Sequence, residues 1–148
     1  MAKIYIGGAG GAPSNGFIKS LRESSRDDYL IGTSCITTDL FLANVDERHY
    51  IQPAISSSYE KQLCALLSKS RPDFIHLQND YEVRAVSRAR DVLMDLNVSF
   101  YMPKAEVIEN CVDKLKSYEI WKANGVRVPD TQILKSPSDL KKAFDLLG

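Results

Sequence analysis

The chain opens Lys3-Ile4-Tyr5-Ile6, Gly7-Gly8-Ala9-Gly10-Gly11-Ala12-Pro13-Ser14-Asn15-Gly16, Phe17-Ile18-Lys19-Ser20-Leu21-Arg22, and this stretch decides the fold. The β-branched Ile4 and Ile6 flank Tyr5, the pattern of a strand covered on both faces. The glycines after it permit positive φ and let a ligand approach the backbone closely. Ser14 or Asn15 is placed to cap the helix that follows, so that its free N–H groups can face an anion. Strand, glycine turn and helix together predict the functional edge of an α/β sheet. Gly8, Gly10, Gly11, Ser14 and Asn15 are the candidate substrate-binding residues of this loop.

Beyond the opening, strands and helices keep alternating. Tyr29 to Ser34 reads as a second strand, and Thr37 to Leu42 as a short helix capped by a Thr or Asp. Asp46 to Pro53 reads as an extended connection. Ser56 to Ser70 carries Tyr59, Leu63, Leu66 and Leu67 at helical spacing. Phe74 to Gln78 is a third strand, and a helix follows from Asn79-Asp80 to about Leu96. Val98 to Met102 is a fourth strand, stopped by Pro103. The prediction is a Rossmann-like parallel sheet of about four strands with helices on both faces, and with ligands at the strands' carboxyl ends. Asp80 and Glu82 sit just past the third strand, on the same edge as the glycine loop. They can hydrogen-bond an amine or hydroxyl of a substrate, or serve only the first turn of their helix. Ser34 and Cys35 are expected to line the same crevice.

After Pro103 the character changes. Lys104 to Val112 and Leu115 to Asn124 read as helices, with Asp113 as an N-cap between them and Gly125 as a left-handed terminator. Val126 to Thr131 leads into a short predicted strand, Gln132 to Leu134. Ser136-Pro137 starts a last helix with Leu140, Phe144 and Leu147 on one face. A single strand and helix cannot bury themselves. The expected organisation is therefore one domain over 1–103 and a partial second domain over 104–148.

Composition bounds the function. The 148 residues suffice to bury a core without staples. Acidic and basic residues balance at 19 each, so bulk charge favours neither nucleic acid nor an anionic membrane. Cys35, Cys64 and Cys111 are odd in number and scattered, which argues against a disulfide framework and points to the reducing cytoplasm. No apolar run reaches the length of a membrane span. Two histidines, His49 and His76, with three scattered cysteines give no metal-site spacing. His76 reads as a core histidine, His49 as a surface one, and Trp121 as core at the domain junction.

The second half carries a resemblance. Pro103-x-x-Glu106-x-Ile108, Asp113-Lys114, Ser117-Tyr118-Glu119 and Gly125-Val126-x-Val128-Pro129-x-Thr131 resemble the junction of ATP-grasp enzymes. The likeness is nearest to the carbamoyl phosphate synthase large-subunit and biotin carboxylase branch. There a Rossmann-like pre-ATP-grasp domain precedes the ATP-grasp domain proper, and four strand–helix units match residues 1–103 in order. The resemblance implies an ATP- and Mg2+-dependent ligase, in which a carboxylate or bicarbonate becomes an acyl phosphate and an amine attacks it. It makes Lys114 the residue that contacts ATP phosphate and the glycine loop the site of the other substrate. The family's second lysine and its metal-binding acids lie beyond the last helix, and no catalytic residue is assigned within the chain. The missing ATP-grasp domain would follow in cis or come as a separate chain, and a homodimer is left open.

Two other readings compete. One is an NAD(P)-binding oxidoreductase domain. Against it, Pro13 and Ser14 stand between the glycines and the helix, and the second strand ends Thr33-Ser34 where an acid normally meets the ribose. The other is a non-catalytic binding module on the pre-grasp fold.

Overall fold

The computed structural model describes residues 1–147. The end of the expected second domain, Gly148, lies outside the described residues. The chain divides into two compact units, Met1–Glu109 and Asn110–Gly148.

The first unit is built on five strands: β1 (Lys3–Ile6), β2 (Tyr29–Ser34), β3 (Glu47–Tyr50), β4 (Phe74–His76) and β5 (Ser99–Phe100). All neighbours pair in parallel, in the order β3-β2-β1-β4-β5. Between them run α1 (Ala12–Glu23), α2 (Thr37–Leu42), α3 (Tyr59–Ser70), α4 (Asp80–Arg88) and α5 (Arg90–Asp95).

Successive strand residues point to opposite faces, and the core separates accordingly. Tyr5 and Ile31 pack with Tyr59, Leu63 and Leu67 of α3 and with Val86 and Leu93 of α4 and α5. Ile4, Ile6 and Leu30 face the other way, against Ile18 of α1 and against Ala43 and Val45. The sheet is therefore covered on both sides, as its β-branched runs predict.

In the first unit four local expectations need correction. β3 is a fifth strand where only an extended connection is legible. Its sequence Glu-Arg-His-Tyr has no apolar run because it is an edge strand, half-buried at Glu47 and His49 and exposed between. Its backbone pairs with β2, and Arg48 ties it back to Leu40 O at 2.8 Å and Ala43 O at 2.6 Å. The helix expected from Asn79 to Leu96 is two, broken at Ala89 (φ −94°, ψ 23°). Helix α1 begins at Ala12 with Gly11 as N-cap, so Ser14 and Asn15 lie inside its first turn and do not cap it. Pro13 fits there because the first turn's N–H groups have no helical partner. Helix α2 is preceded by Ile36, without a side-chain cap.

In α6 (Ala105–Val112) the two units meet in sequence. The second unit continues with α7 (Lys114–Ala123) and α8 (Pro137–Leu147). Asp113 caps α7 as expected, its carboxylate accepting from Leu115 N at 3.0 Å and Lys116 N at 3.1 Å. Ser117 Oγ donates to Asn110 O at 2.7 Å. Gly125 adopts φ 73°, the left-handed terminator. The strand expected over Gln132–Leu134 is absent among the described residues: no neighbouring strand offers it bonds, and Ile133 and Leu134 stay half exposed. No residue of α8 is buried, and Trp121, expected in a core, is 53% exposed.

Candidate functional site

From β1 the chain passes to β2 on one side, and β4 returns to the other side of β1. The switch point of the sheet thus lies beyond the carboxyl ends of β1 and β4, where open α/β sheets bind ligands. A cleft of about 500 Å³ opens there. Gly8, Gly11 and Ser14 line it from the glycine loop and α1. Ser34, Cys35, Ile36 and Asp39 line it from beyond β2, Gln52 to Ile55 from beyond β3, and Gln78, Asn79, Tyr81 and Glu82 from beyond β4.

The glycine loop is strapped to both neighbouring strands. Gly7 N donates to His76 O at 2.9 Å and Ala9 N donates to Thr33 O at 2.8 Å. Ser14 Oγ donates back to Gly7 O at 2.9 Å, and Asn15 Nδ2 to Gly10 O at 2.9 Å. These two side chains tie the loop to α1 in place of capping the helix. Gly10 holds φ 94°, and a Cβ there would run into the carbonyl of Asp39, so α2 rests on the loop's backbone.

Glu82 stands out electrostatically. Helix α4 is capped by Asn79, whose side chain accepts from Tyr81 N at 2.8 Å, so Glu82 is not needed as a cap. Its side chain turns inward, and the residue is only 7% exposed. Tyr59 Oη donates to its Oε1 at 3.4 Å, while Oε2 is buried without a partner. Burial pushes its carboxyl up to about 7, partly offset by the Tyr59 bond. Below it lie Tyr59 and Tyr5, both fully inside. Thr33 Oγ1 donates to Tyr5 Oη at 2.8 Å, and burial raises both phenols far above the ordinary tyrosine value.

Of the residues singled out from sequence, Gly8, Gly11, Ser14 and Glu82 come together in the cleft, with Ser34 and Cys35. Gly10 and Asn15 support the loop from behind. Asp80 opens α4 at an exposed position outside the lining. Lys114 belongs to the other unit, is exposed, and its Nζ donates to Cys111 O at 3.2 Å. His76 is half-buried, stacked on Phe17 at 3.7 Å between ring centroids, and burial lowers its pKa. His49 is half-buried, not superficial, with Nε2 2.6 Å from Glu47 Oε1. Asp39, Ile36 and the Gln52–Ile55 segment are lining residues that the sequence did not flag. Ile36 and Asp39 sit at the start of α2, and Gln52–Ile55 on the loop after β3, the strand that has no apolar signature.

No protein-family model and no curated protein matches the chain. Solved structures do. The biotin carboxylase domain of a single-chain bacterial carboxylase matches over 99% of this chain and 34% of its own, at TM-score 0.59 and 14% identity. The biotin carboxylase subunit of a pyruvate carboxylase matches over 100% and 34%, at 0.55 and 22%. Glycinamide-RNase-transformylase T from Mycobacterium tuberculosis matches over 95% and 38%, at 0.64 and 14%. These are ATP-grasp enzymes. The fold is the pre-ATP-grasp one. At these identities the likeness is one of fold, and the chain spans about a third of the length of the structures it matches. The biotin carboxylase domain of the Hydrogenobacter thermophilus 2-oxoglutarate carboxylase, also similar at 19% identity, is a dimer in complex with MgADP, ADP and bicarbonate.

Proposed function

We propose that this chain is the N-terminal part of an ATP-dependent ligase of the carbamoyl phosphate synthase-like kind. The reaction class is activation of a carboxylate or bicarbonate as an acyl phosphate for attack by an amine. The observation that carries this reading is a cleft at the switch point of a pre-ATP-grasp fold, with the buried carboxyl of Glu82 on its wall. Residues 1–103 form the pre-ATP-grasp domain and residues 104–148 the junction and the start of the ATP-grasp domain. The cleft takes the non-nucleotide substrate. Lys114 meets ATP phosphate, and Mg2+ is held mainly by residues outside the 148. The 148 residues alone do not complete the reaction, and the rest of the ATP-grasp domain comes in cis or as a separate chain. The setting is cytoplasmic, with a homodimer as the assembly to test.

The exposed apolar residues of the second unit support this incompleteness. Leu140, Phe144, Leu146 and Leu147 of α8 are all exposed, and a partner surface would cover them. The test is amine-stimulated ATP turnover by a protein that carries the whole nucleotide site. There Lys114→Ala weakens ATP binding by about 1–3 kcal/mol, the scale of a hydrogen bond to a charged group. Unchanged ATP affinity would remove Lys114 from the site.

One observation favours the dinucleotide reading more than the sequence suggests. Helix α1 starts directly after the glycines, so Pro13 and Ser14 no longer separate them. The end of β2 still offers Ser34 and no acid. Tight NADH binding by a protein that carries the whole nucleotide site, without any response to ATP, would decide for that reading.

A further inference from the structure

The sheet ends on one side at β3, whose one neighbour among the described residues is β2. Just before the strand, Asp46 N donates to Leu30 O at 3.0 Å, and this sets the phase of the ladder. Backbone groups along a strand turn to alternate sides. Arg48 therefore bonds to β2, while Glu47 and His49 turn their N–H and C=O to the open side. Such a bare row is a template for another strand. Side chains alternate as well, and Glu47 and His49 share a face. His49 Nε2 lies 2.6 Å from Glu47 Oε1, whereas Glu47 Oε2 and His49 Nδ1 take no bond among the described residues. An acid and an imidazole spaced this way on an open edge complement the same pair running in the opposite direction.

We propose that β3 pairs antiparallel with β3 of a second copy of this chain, about a twofold axis at Arg48. Glu47 then stands opposite the partner's His49, and His49 opposite the partner's Glu47, each pair exchanging both backbone bonds. Unlike groups directly opposite stabilise a strand pair, and like charges oppose it. An axis at Glu47 would set carboxylate against carboxylate, and an axis at His49 imidazole against imidazole, so the pairing of unlike groups selects this register. Arg48 meets the partner's Arg48 at the axis, but its guanidinium is turned back onto Leu40 O at 2.8 Å and Ala43 O at 2.6 Å of its own chain. Those bonds also hold the last turn of α2 against the edge strand. Phe41 and Leu42 of that turn and the ring of Tyr50 are exposed, and a second copy covers them with its own. The inference gives the homodimer named above its interface and rests on nothing else in the ligase reading.

The experiment uses the 148-residue chain, with association read by sedimentation equilibrium across the micromolar range and amide exchange read by NMR. Dimer should form as concentration rises. With it the Glu47 and His49 amides should become protected, while the Arg48 amide, bonded within the chain, stays as it was. Glu47→Lys should weaken the dimer at least about ten-fold by setting a cation against the partner's His49. Combining it with His49→Glu should restore the dimer, since ammonium and carboxylate then alternate across the axis. Phe144→Ser, on the exposed helix α8, should leave it intact, and every variant is checked for native amide dispersion. The inference is overturned by a chain that stays monomeric, or by a dimer whose Glu47 and His49 amides exchange freely. It is equally overturned by a dimer lost in Phe144→Ser but kept in Glu47→Lys, or by a double variant that associates no more tightly than Glu47→Lys. The Lys114 test of ATP binding is independent of all these outcomes.

Discussion

Glu82 is the residue whose behaviour separates this cleft from an ordinary strand-to-helix turn. Its carboxyl keeps a proton up to about pH 7 in the folded chain and releases it at the ordinary carboxylate value when unfolded. Between these values the native state holds more protons, so stability falls as pH rises and is flat beyond about 7. The wild type should lose on the order of 3 kcal/mol relative to Glu82→Gln between about pH 4 and pH 8, read from thermal melts of both. Parallel curves for the two proteins would show that Glu82 titrates normally. Gly7 is tied to the same residue, since a Cβ there would sit 2.6 Å from Glu82 Oε2 and 2.7 Å from Leu77 Cδ2. Gly7→Ala should cost roughly 1–3 kcal/mol through overpacking, measured by urea denaturation. The glycine loop and an acid at 82 were legible in the sequence. The inward turn of Glu82 was not, because Asp80 and Glu82 read alike as first-turn acids until Asn79 is seen to hold the cap.

At the level of elements, the last turns of the first unit are held by arginine. Glu109 of α6 accepts from Arg84 Nε at 2.8 Å and Arg88 Nη2 at 2.6 Å, joining α4 to α6. Those bonds hold its carboxyl down at about 2. Such a depressed acid contributes stability above the ordinary carboxylate range, and the contribution is lost as pH falls through it toward 2. Glu109→Gln should therefore lower the melting temperature at neutral pH and flatten its decline in acid. Arg90 of α5 donates to Met102 O at 2.6 Å and Pro103 O at 2.8 Å and lies 4.8 Å from the Phe100 ring centroid. Its planar fork serves both carbonyls, so Arg90→Lys should recover less than half of the roughly 1–3 kcal/mol lost in Arg90→Ala. The helical stripe of α3 was legible from spacing, and Tyr59, Leu63 and Leu67 are buried. Leu67→Ala should cost about 2–5 kcal/mol in the same denaturation assay. The break at Ala89 was not legible, since Val86 and Leu93 keep one apolar face across it.

For the whole molecule, the two units differ in what they bury. The first carries both hydrophobic clusters, whereas the second has Ser117 as its buried residue among those described. Amide exchange should therefore be slow in β1, β2 and α3 and fast throughout α7 and α8. Limited proteolysis should cut first between residues 126 and 135, an exposed stretch without helix or strand. Protection of α8 equal to that of α3 would contradict this picture. The expected strand at Gln132–Leu134 belongs to the same scale: a strand needs a neighbour, and among the described residues none pairs with it.

By itself the sequence determined the alternation of strands and helices, the two-faced burial of β1 and β2, the glycine loop at the first carboxyl end, and the Asp113 and Gly125 ends of α7. Each of these is written in local terms, as periodicity, branching, capping chemistry or positive φ. Only the tertiary structure decided the polar edge strand β3, the cleft residues hung from it, and the inward, unpartnered carboxyl of Glu82. Edge pairing is made by backbone bonds that any residue supplies, and a pKa is set by what surrounds a group in space. Neither leaves a mark on spacing or composition. The glycine loop was visible in the sequence, but that Asp39 and Glu82 are the charged residues on the cleft lining among those described became visible only in the fold.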